Sequence, residues 1–94
     1  MAAKFRGLYA VTPEIHDTGD LLRRVELALR GSTRLVQYRN KQAAPALRHE
    51  QAAALVKLCH EYAARLLVND DLALALDIGA DGVHLGREDG ELAA

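Results

Sequence analysis

The feature that most constrains the fold is a regular alternation of short apolar runs with longer segments of helical spacing. Runs of four or five residues rich in Leu, Val and Tyr are typical of buried strands, whereas apolar residues spaced three and four apart indicate helices. The alternation predicts the order β-α-β-α-β-α-β. The predicted strands are residues 8–11, 35–39, 66–69 and 82–85, and the predicted helices are residues 20–30, 45–64 and 71–78.

Glycine and proline mark the ends of the predicted helices. Gly31 follows the first helical segment and Gly79 follows the third, and glycine commonly ends a helix. Pro45 opens the second segment, where its missing N–H removes no intrahelical hydrogen bond. The helical segments are therefore crossovers between consecutive strands.

Helical crossovers require parallel pairing and are almost always right-handed. Two folds satisfy this pattern, an open doubly wound sheet and a TIM (β/α)8 barrel. A dinucleotide-binding doubly wound fold has a glycine-rich turn after its first strand, but Thr12-Pro13-Glu14 stands there, which favours the barrel. Because a barrel needs eight strands and about 200 residues or more, we expect residues 1–94 to be a single partial α/β domain, the first half of a TIM barrel.

Composition and charge argue against several classes of protein. The net charge is -1 and the aromatic residues are three Tyr and one Phe, so neither a basic nor a base-stacking surface is indicated and we expect no nucleic-acid partner. No apolar run approaches the about 20 residues of a membrane span, and no secretory signal opens the chain, so we expect a cytoplasmic protein without a membrane segment. The lone cysteine, Cys59, fits a buried core residue better than a nucleophile.

A first group of polar residues closes the second strand. Gln37 and Arg39 share one face because side chains alternate along a strand, and Lys41 follows in the loop, while Val36 and Tyr38 should face the covering helices. A carboxamide beside two cations suits a ligand with a hydrogen-bonding ring and an anionic tail. An interior barrel layer with a solvated loop lysine explains the same residues equally well, so both interpretations stay open.

A second group follows the third and fourth strands. Asn69, Asp70 and Asp71 end the third strand and Asp89 lies beyond the fourth, whose His84 fits an interior histidine better than a catalyst. Two carboxylates on the loops of adjacent strands, together with waters and phosphate oxygens, make a typical Mg²⁺ site. Aspartates are also good helix N-caps, and from the residues alone capping is the favoured interpretation.

Taken together, these segments resemble the thiamine-phosphate synthase family. That family has a first strand like Leu-Tyr-Ala-Val-Thr, then Gln-x-Arg-x-Lys, then Asn-Asp-Asp, then Asp-Gly-(Ile/Val)-His-Leu-Gly before an acidic cluster. The chain has the corresponding residues 8–12, 37–41, 69–71 and 81–86 in the same order. Each motif is weak alone, but four in order over residues 7–89 are specific.

The resemblance implies a reaction, a metal ion and roles for six residues. The family joins hydroxymethylpyrimidine diphosphate to hydroxyethylthiazole phosphate and releases pyrophosphate, and it uses Mg²⁺. This changes the favoured role of two aspartates from capping to metal binding. The residues assigned by resemblance are Gln37 for the pyrimidine, Arg39, Lys41 and Asn69 for the diphosphate, and Asp70 and Asp89 for Mg²⁺.

The chain departs from the family pattern in two ways. Arg87 stands where the family usually has glutamine. The serine, lysine and glycine-rich loops of strands five to eight, which bind the thiazole phosphate, have no counterpart, so we expect the isolated chain to be inactive and to form a homo-oligomer. Two alternatives are a related thiazole tautomerase, which needs no Mg²⁺, and a non-catalytic half-barrel that only self-associates. Retention of Asp70 and Asp89 favours the synthase over the tautomerase.

Overall fold

The computed structural model describes residues 9–84, and these residues form the elements in the predicted order. Within that range, no helix is both long enough and apolar enough to cross a lipid bilayer. The predicted strand ends at residues 8 and 85 lie outside the described residues. Strands β1 to β4 are Tyr9–Val11, Leu35–Tyr38, Arg65–Asn69 and Gly82–His84, and helices α1 to α3 are Thr18–Arg30, Pro45–Glu61 and Leu72–Ile78.

The strands form one parallel sheet in the order β1-β2-β3-β4. Val36 lies opposite Leu66, and Val68 lies opposite Val83. Consecutive strands are neighbours, so each crossover advances in the same direction along the sheet. Because such crossovers are almost always right-handed, their helices lie on the same face. A doubly wound sheet instead reverses direction and has helices on both faces. The strand order is that of the first four strands of a (β/α)8 barrel, as predicted.

The core lies between one face of this sheet and the helices. Val36, Tyr38 and Leu66 from the strands are at most 1% exposed, and Leu21 and Leu55 from the helices are fully buried. The predicted orientation of Val36 and Tyr38 toward the helices is confirmed. Burying a side chain of this size contributes roughly 1.5–3 kcal/mol relative to leaving it exposed, so the helix-covered face is the main source of stability.

Cys59 belongs to this core, as predicted. It lies on α2 and is fully buried. Burial, together with a smaller effect of the Asp81 carboxylate, raises the pKa of the thiol to about 11. A thiol that stays protonated at neutral pH is a poor nucleophile, so Cys59 contributes packing and no chemistry.

The other face of the sheet is not covered by the described helices. Tyr9 is 40% exposed and Val11 is 46% exposed on this face. Gln37, Leu67 and Asn69 continue the same face along β2 and β3. In a closed (β/α)8 barrel this face lines the packed interior, so it is the face on which further barrel strands would pack.

The boundaries of the elements differ from the predicted ones by one to three residues. Helix α1 begins at Thr18, earlier than expected, because the preceding Asp17 caps it and accepts a hydrogen bond from a first-turn N–H. Strand β2 ends at Tyr38, so Arg39 lies in the following loop rather than in the strand. Helix α2 ends at Glu61, earlier than predicted.

Candidate functional site

Three loops meet at the carboxyl edge of the sheet, where parallel α/β folds bind their ligands. We call them the first loop, residues 12–17, the second loop, residues 39–44, and the third loop, residues 70–71. Four of the six residues assigned by resemblance lie in or next to these loops, and Gln37 lies within β2, two residues before the second loop. The sixth, Asp89, lies outside the described residues.

Gln37 lies on the uncovered face of the sheet and is 4% exposed. Its Nε2 donates a hydrogen bond to the hydroxyl of Tyr9 on the neighbouring strand β1. This bond between strands fixes the orientation of the carboxamide. The partner was missed at the sequence level because only the register of β1 against β2 brings Tyr9 close to Gln37.

The backbone of the second loop is bound to the first loop. The backbone N–H of Arg39 donates to Thr12 Oγ1 at 3.0 Å, and that of Lys41 donates to Glu14 Oε2 at 3.3 Å. Arg39 and Lys41 are themselves exposed. The structure thus anchors the backbone of both cationic residues and leaves the residues accessible to a ligand.

A small pocket of about 80 Å³ brings Lys41, Asn69 and Asp70 together. It lies between the second and third loops, so most of its polar lining comes from the ends of β2 and β3. A pocket of this size holds a small group or a few water molecules rather than a whole substrate. Gln37 and Arg39 are not part of its lining, so the structure groups three of the five assigned residues that it describes.

Asp70 and Asp71 are adjacent but have different structural roles. The Asp71 side chain caps α3 by accepting a hydrogen bond from the backbone N–H of Leu74 at 2.9 Å. Asp70 has a left-handed φ of +54°, and its N–H donates to the carbonyl of His84 on β4 at 2.7 Å. Helix capping, which the sequence permitted for either aspartate, is therefore the role of Asp71.

Arg48 lines the same pocket, although it lies within a helix and not at the end of a strand. Its Nη2 lies 3.4 Å from Asp71 Oδ2, and its Nε is buried without a hydrogen-bond partner among the described residues. Arg48 therefore connects the first turn of α2 to the third loop. Helical spacing alone does not show this contact, because it depends on how α2 packs against α3.

Of the two residues that the resemblance assigns to magnesium, Asp70 lies within the described residues. Within residues 9–84, no group of three or more His, Cys, Asp and Glu side chains is arranged to hold a metal ion. Mg²⁺ is usually held by one or two carboxylates together with substrate phosphates and water. An exposed Asp70 at a polar pocket fits that donor set, and the other assigned ligand, Asp89, falls outside the described range.

The comparison with known proteins decides the family. A family model described as thiamine monophosphate synthase matches residues 8–94. The chain belongs to the thiamine monophosphate synthase family. It is 54% identical over 91 residues to the thiamine-phosphate synthase of Aromatoleum aromaticum, and 54% identical over 91 residues to that of Thioalkalivibrio sulfidiphilus. These alignments cover 97% and 96% of this chain, but 44% and 43% of the two relatives.

A solved structure agrees with this family membership. The thiamine phosphate pyrophosphorylase of Pyrococcus furiosus matches with a TM-score of 0.73 and 34% sequence identity. The match covers 87% of this chain and 41% of that chain. The resemblance indicated by the order of the motifs is thus confirmed, and the chain spans less than half the length of the relatives it matches.

Proposed function

We propose that this chain supplies the pyrimidine-diphosphate side of a thiamine-phosphate synthase site. That reaction joins hydroxymethylpyrimidine diphosphate to hydroxyethylthiazole phosphate and releases pyrophosphate. One observation carries the proposal: Lys41, Asn69 and Asp70 line one pocket at the carboxyl edge of the sheet. They are also three of the residues to which the resemblance of the sequence motifs assigns diphosphate or metal binding.

The diphosphate is assigned to Arg39, Lys41 and Asn69. Two cations and a carboxamide N–H group offer hydrogen bonds to anionic oxygens, and those from the cations are charge-assisted. The backbone of both cationic residues is already held by the first loop. The entropy lost on binding is therefore mainly that of two side chains, which favours affinity.

The pyrimidine is assigned to Gln37. A carboxamide offers both an N–H donor and a carbonyl acceptor, which suits the edge of an aminopyrimidine ring. The bond to Tyr9 aligns the carboxamide on the uncovered face of the sheet. The ring would therefore lie on the side that becomes the barrel interior, with its diphosphate toward the loops.

Asp70, with Asp89, would hold Mg²⁺. When bound there, the ion would supply positive charge that neutralises the departing diphosphate. Arg39, Lys41 and Asn69 act on the same group, because their hydrogen bonds strengthen as negative charge develops on the leaving oxygens. The methylene C–O bond breaks as pyrophosphate leaves, and a C–N bond forms to the nitrogen of the thiazole.

The proposal is tested by binding of hydroxymethylpyrimidine diphosphate, with Mg²⁺, to a chimeric enzyme. In this chimera the chain replaces the matching residues of the Aromatoleum aromaticum synthase, to which it is 54% identical, so the relative supplies the rest of the barrel. Arg39→Ala and Lys41→Ala should each weaken calorimetric affinity by about 10- to 100-fold, because a hydrogen bond to a charged group contributes roughly 1.5–3 kcal/mol.

The matched control for these variants is Lys57→Ala. Lys57 is exposed on α2, toward the end of the helix that lies away from the three loops. Its removal changes the net charge equally and should leave the affinity unchanged. If both loop variants bind as tightly as the Lys57 variant, Arg39 and Lys41 are surface charges and the assigned diphosphate site is wrong.

We propose in addition that the isolated chain self-associates through its uncovered sheet face. Tyr9 and Val11 are 40% and 46% exposed there, and soluble monomers rarely expose a large contiguous apolar patch. Among the described strands, β1 and β4 are the edges of the sheet. Two copies related by a two-fold axis can cover these faces mutually, so the occupant of the face is a second copy of the chain.

A further inference from the structure

Gln51 is a fully buried glutamine on α2. Its Oε1 accepts hydrogen bonds from the Tyr38 hydroxyl at 2.7 Å and from Asn40 Nδ2 at 3.3 Å. Its Nε2 donates to the backbone carbonyls of Ile15 at 2.8 Å and His16 at 3.2 Å. The two donor and two acceptor positions of the carboxamide are therefore all used.

One of these bonds, the one donated by Asn40, joins Gln51 to the second loop. Asn40 stands between Arg39 and Lys41, and its Oδ1 accepts hydrogen bonds from the backbone N–H groups of residues 42 and 43, each at 3.0 Å. Asn40 is 7% exposed. The Asn40 side chain therefore stabilises the turn of the second loop and connects that loop to the buried carboxamide of Gln51.

The first loop completes the network from the other side. Gln51 holds the carbonyls of residues 15 and 16. The same loop binds the backbone amides of both cationic residues through Thr12 and Glu14. Gln51 thus lies at the junction of α2, the first loop and the second loop.

A buried carboxamide needs hydrogen-bond partners, whereas an apolar side chain in the same core position would need none. The presence of glutamine at this position therefore calls for a structural reason. Leaving a buried donor or acceptor unsatisfied costs about 1–3 kcal/mol, whereas a satisfied network specifies one arrangement of the segments that it joins. Burial raises the pKa of Tyr38, against smaller opposing effects of Asn40 and Arg48, so its hydroxyl stays protonated and donates.

We propose that Gln51 is a positioning residue for the diphosphate site, which fixes the backbone positions from which the Arg39 and Lys41 side chains reach the ligand. The identity of the ligand rests on the proposed function. The order of the second loop, which the role requires, can be measured without any ligand. The two claims can therefore fail separately.

Amide hydrogen exchange of the 94-residue chain tests this role. Gln51→Met keeps the length and apolar contacts of the side chain and removes its hydrogen bonds. The amides of Arg39 and Lys41 and of residues 42 and 43 should exchange about tenfold faster, beyond any change at the amides of β3, which report global unfolding. Asn40→Ser removes the hydrogen bond between the second loop and Gln51 by changing the loop residue instead. The same amides should exchange faster in this variant, with less disturbance of the core.

The matched control is Cys59→Ala, which alters another fully buried residue of α2 at the end of the helix away from the loops. It should lower the protection of all amides together, with no selective change in the second loop. In the chimeric enzyme, Gln51→Met should raise the KM for the pyrimidine diphosphate about tenfold and leave the KM for the thiazole phosphate unchanged.

Second-loop amides that stay as protected in Gln51→Met as in Cys59→Ala would overturn the positioning role. An equal rise of both KM values would also overturn it, because that pattern reports a general loss of structure. Failure of the proposed function looks different. A folded chimera that binds no pyrimidine diphosphate would contradict that function. Selectively faster exchange of the second-loop amides in Gln51→Met would still show that Gln51 orders the second loop.

Discussion

At the scale of single residues, one backbone dihedral angle decides which of two identical side chains caps a helix. Asp70 and Asp71 are adjacent, and the sequence permitted capping for either. Because Asp70 adopts a left-handed backbone at φ +54°, Asp71 falls at the N-cap position of α3. Sequence spacing does not distinguish the two aspartates, so the sequence alone does not predict which of them caps α3.

The two aspartates should therefore respond differently to substitution. Asp71→Ala removes the cap and a partner of Arg48, and it should lower the free energy of unfolding by about 1 kcal/mol. Asp70→Asn tolerates the left-handed backbone and should retain stability, but it should sharply lower Mg²⁺-dependent turnover of the chimeric enzyme. If Asp70→Asn keeps the original kcat and Mg²⁺ dependence, the metal assignment is wrong.

Another aspartate, Asp81, ties the start of β3 to α2. Its Oδ2 accepts a hydrogen bond from the backbone N–H of Leu66 at 2.8 Å and lies 2.9 Å from His60 Nε2. Partial burial favours the neutral acid, but the contacts with Leu66, His60 and Arg65 outweigh it and lower the pKa of the Asp81 carboxyl. The charged form of Asp81 is therefore favoured by folding.

This shift predicts a pH dependence of stability. Because the pKa of Asp81 is lower in the folded than in the unfolded chain, its contribution is present above the unfolded pKa of about 3.9 and is lost as pH falls through the folded value. Asp81→Asn keeps an oxygen for Leu66 and should flatten the fall of Tm between about pH 5 and pH 2. Asp77→Asn, at an exposed aspartate that pairs with His49, is the control. Parallel Tm curves for the original chain and the Asp81 variant would contradict the prediction.

At the scale of elements, the sequence predicted the strands and helices found within residues 9–84 but not their exact ends. Apolar periodicity reports which face of a segment is buried, and that signal remains clear over whole elements such as α1 and α2. The ends depend on hydrogen bonds. Asp17 extends α1 to Thr18 because it caps the helix there, and the ladder of β2 stops at Tyr38.

In the candidate site, too, the sequence pattern predicts some residues, and others are found only from the packing of the structure. Gln37, Lys41 and Asn69 are candidates from the sequence because polar residues near the ends of strands stand out in an apolar pattern, and their roles stay predictions. Gln51 and Arg48 were missed because each lies within a helix, where spacing alone does not distinguish a buried polar side chain from a solvated one. Their contacts depend on how α2 packs on the loops.

The ends of the helices provide a further test. Gly79 ends α3 with a left-handed φ of +71°, which costs a non-glycine residue roughly 1–2 kcal/mol. Gly79→Ala should therefore lower the free energy of unfolding in urea by about 1 kcal/mol. Gly19→Ala is the matched control, because an added Cβ would lie 3.7 Å from Asp17 Oδ1 in ordinary contact, and it should leave stability unchanged or raise it. Equal losses in the two variants would contradict the account of Gly79.

At the scale of the whole molecule, the sheet is covered on one side only within residues 9–84. Sedimentation should show the isolated chain as a dimer or higher oligomer, because self-association buries the uncovered face. Val11→Lys places a charge on that face and should shift the chain toward monomer. Leu27→Lys, at a residue 64% exposed on α1, is the control and should not change the distribution. A stable monomer of the original chain would contradict the proposed association.

The most direct test of the account is the formation of thiamine phosphate by the chimeric enzyme. We expect turnover that requires Mg²⁺ and both substrates and that falls at least about tenfold in Lys41→Ala, whereas the isolated 94-residue chain should show none. A chimera that is folded by circular dichroism and binds the thiazole phosphate, yet forms no thiamine phosphate, would contradict the claim that this chain supplies the pyrimidine-diphosphate side of the site.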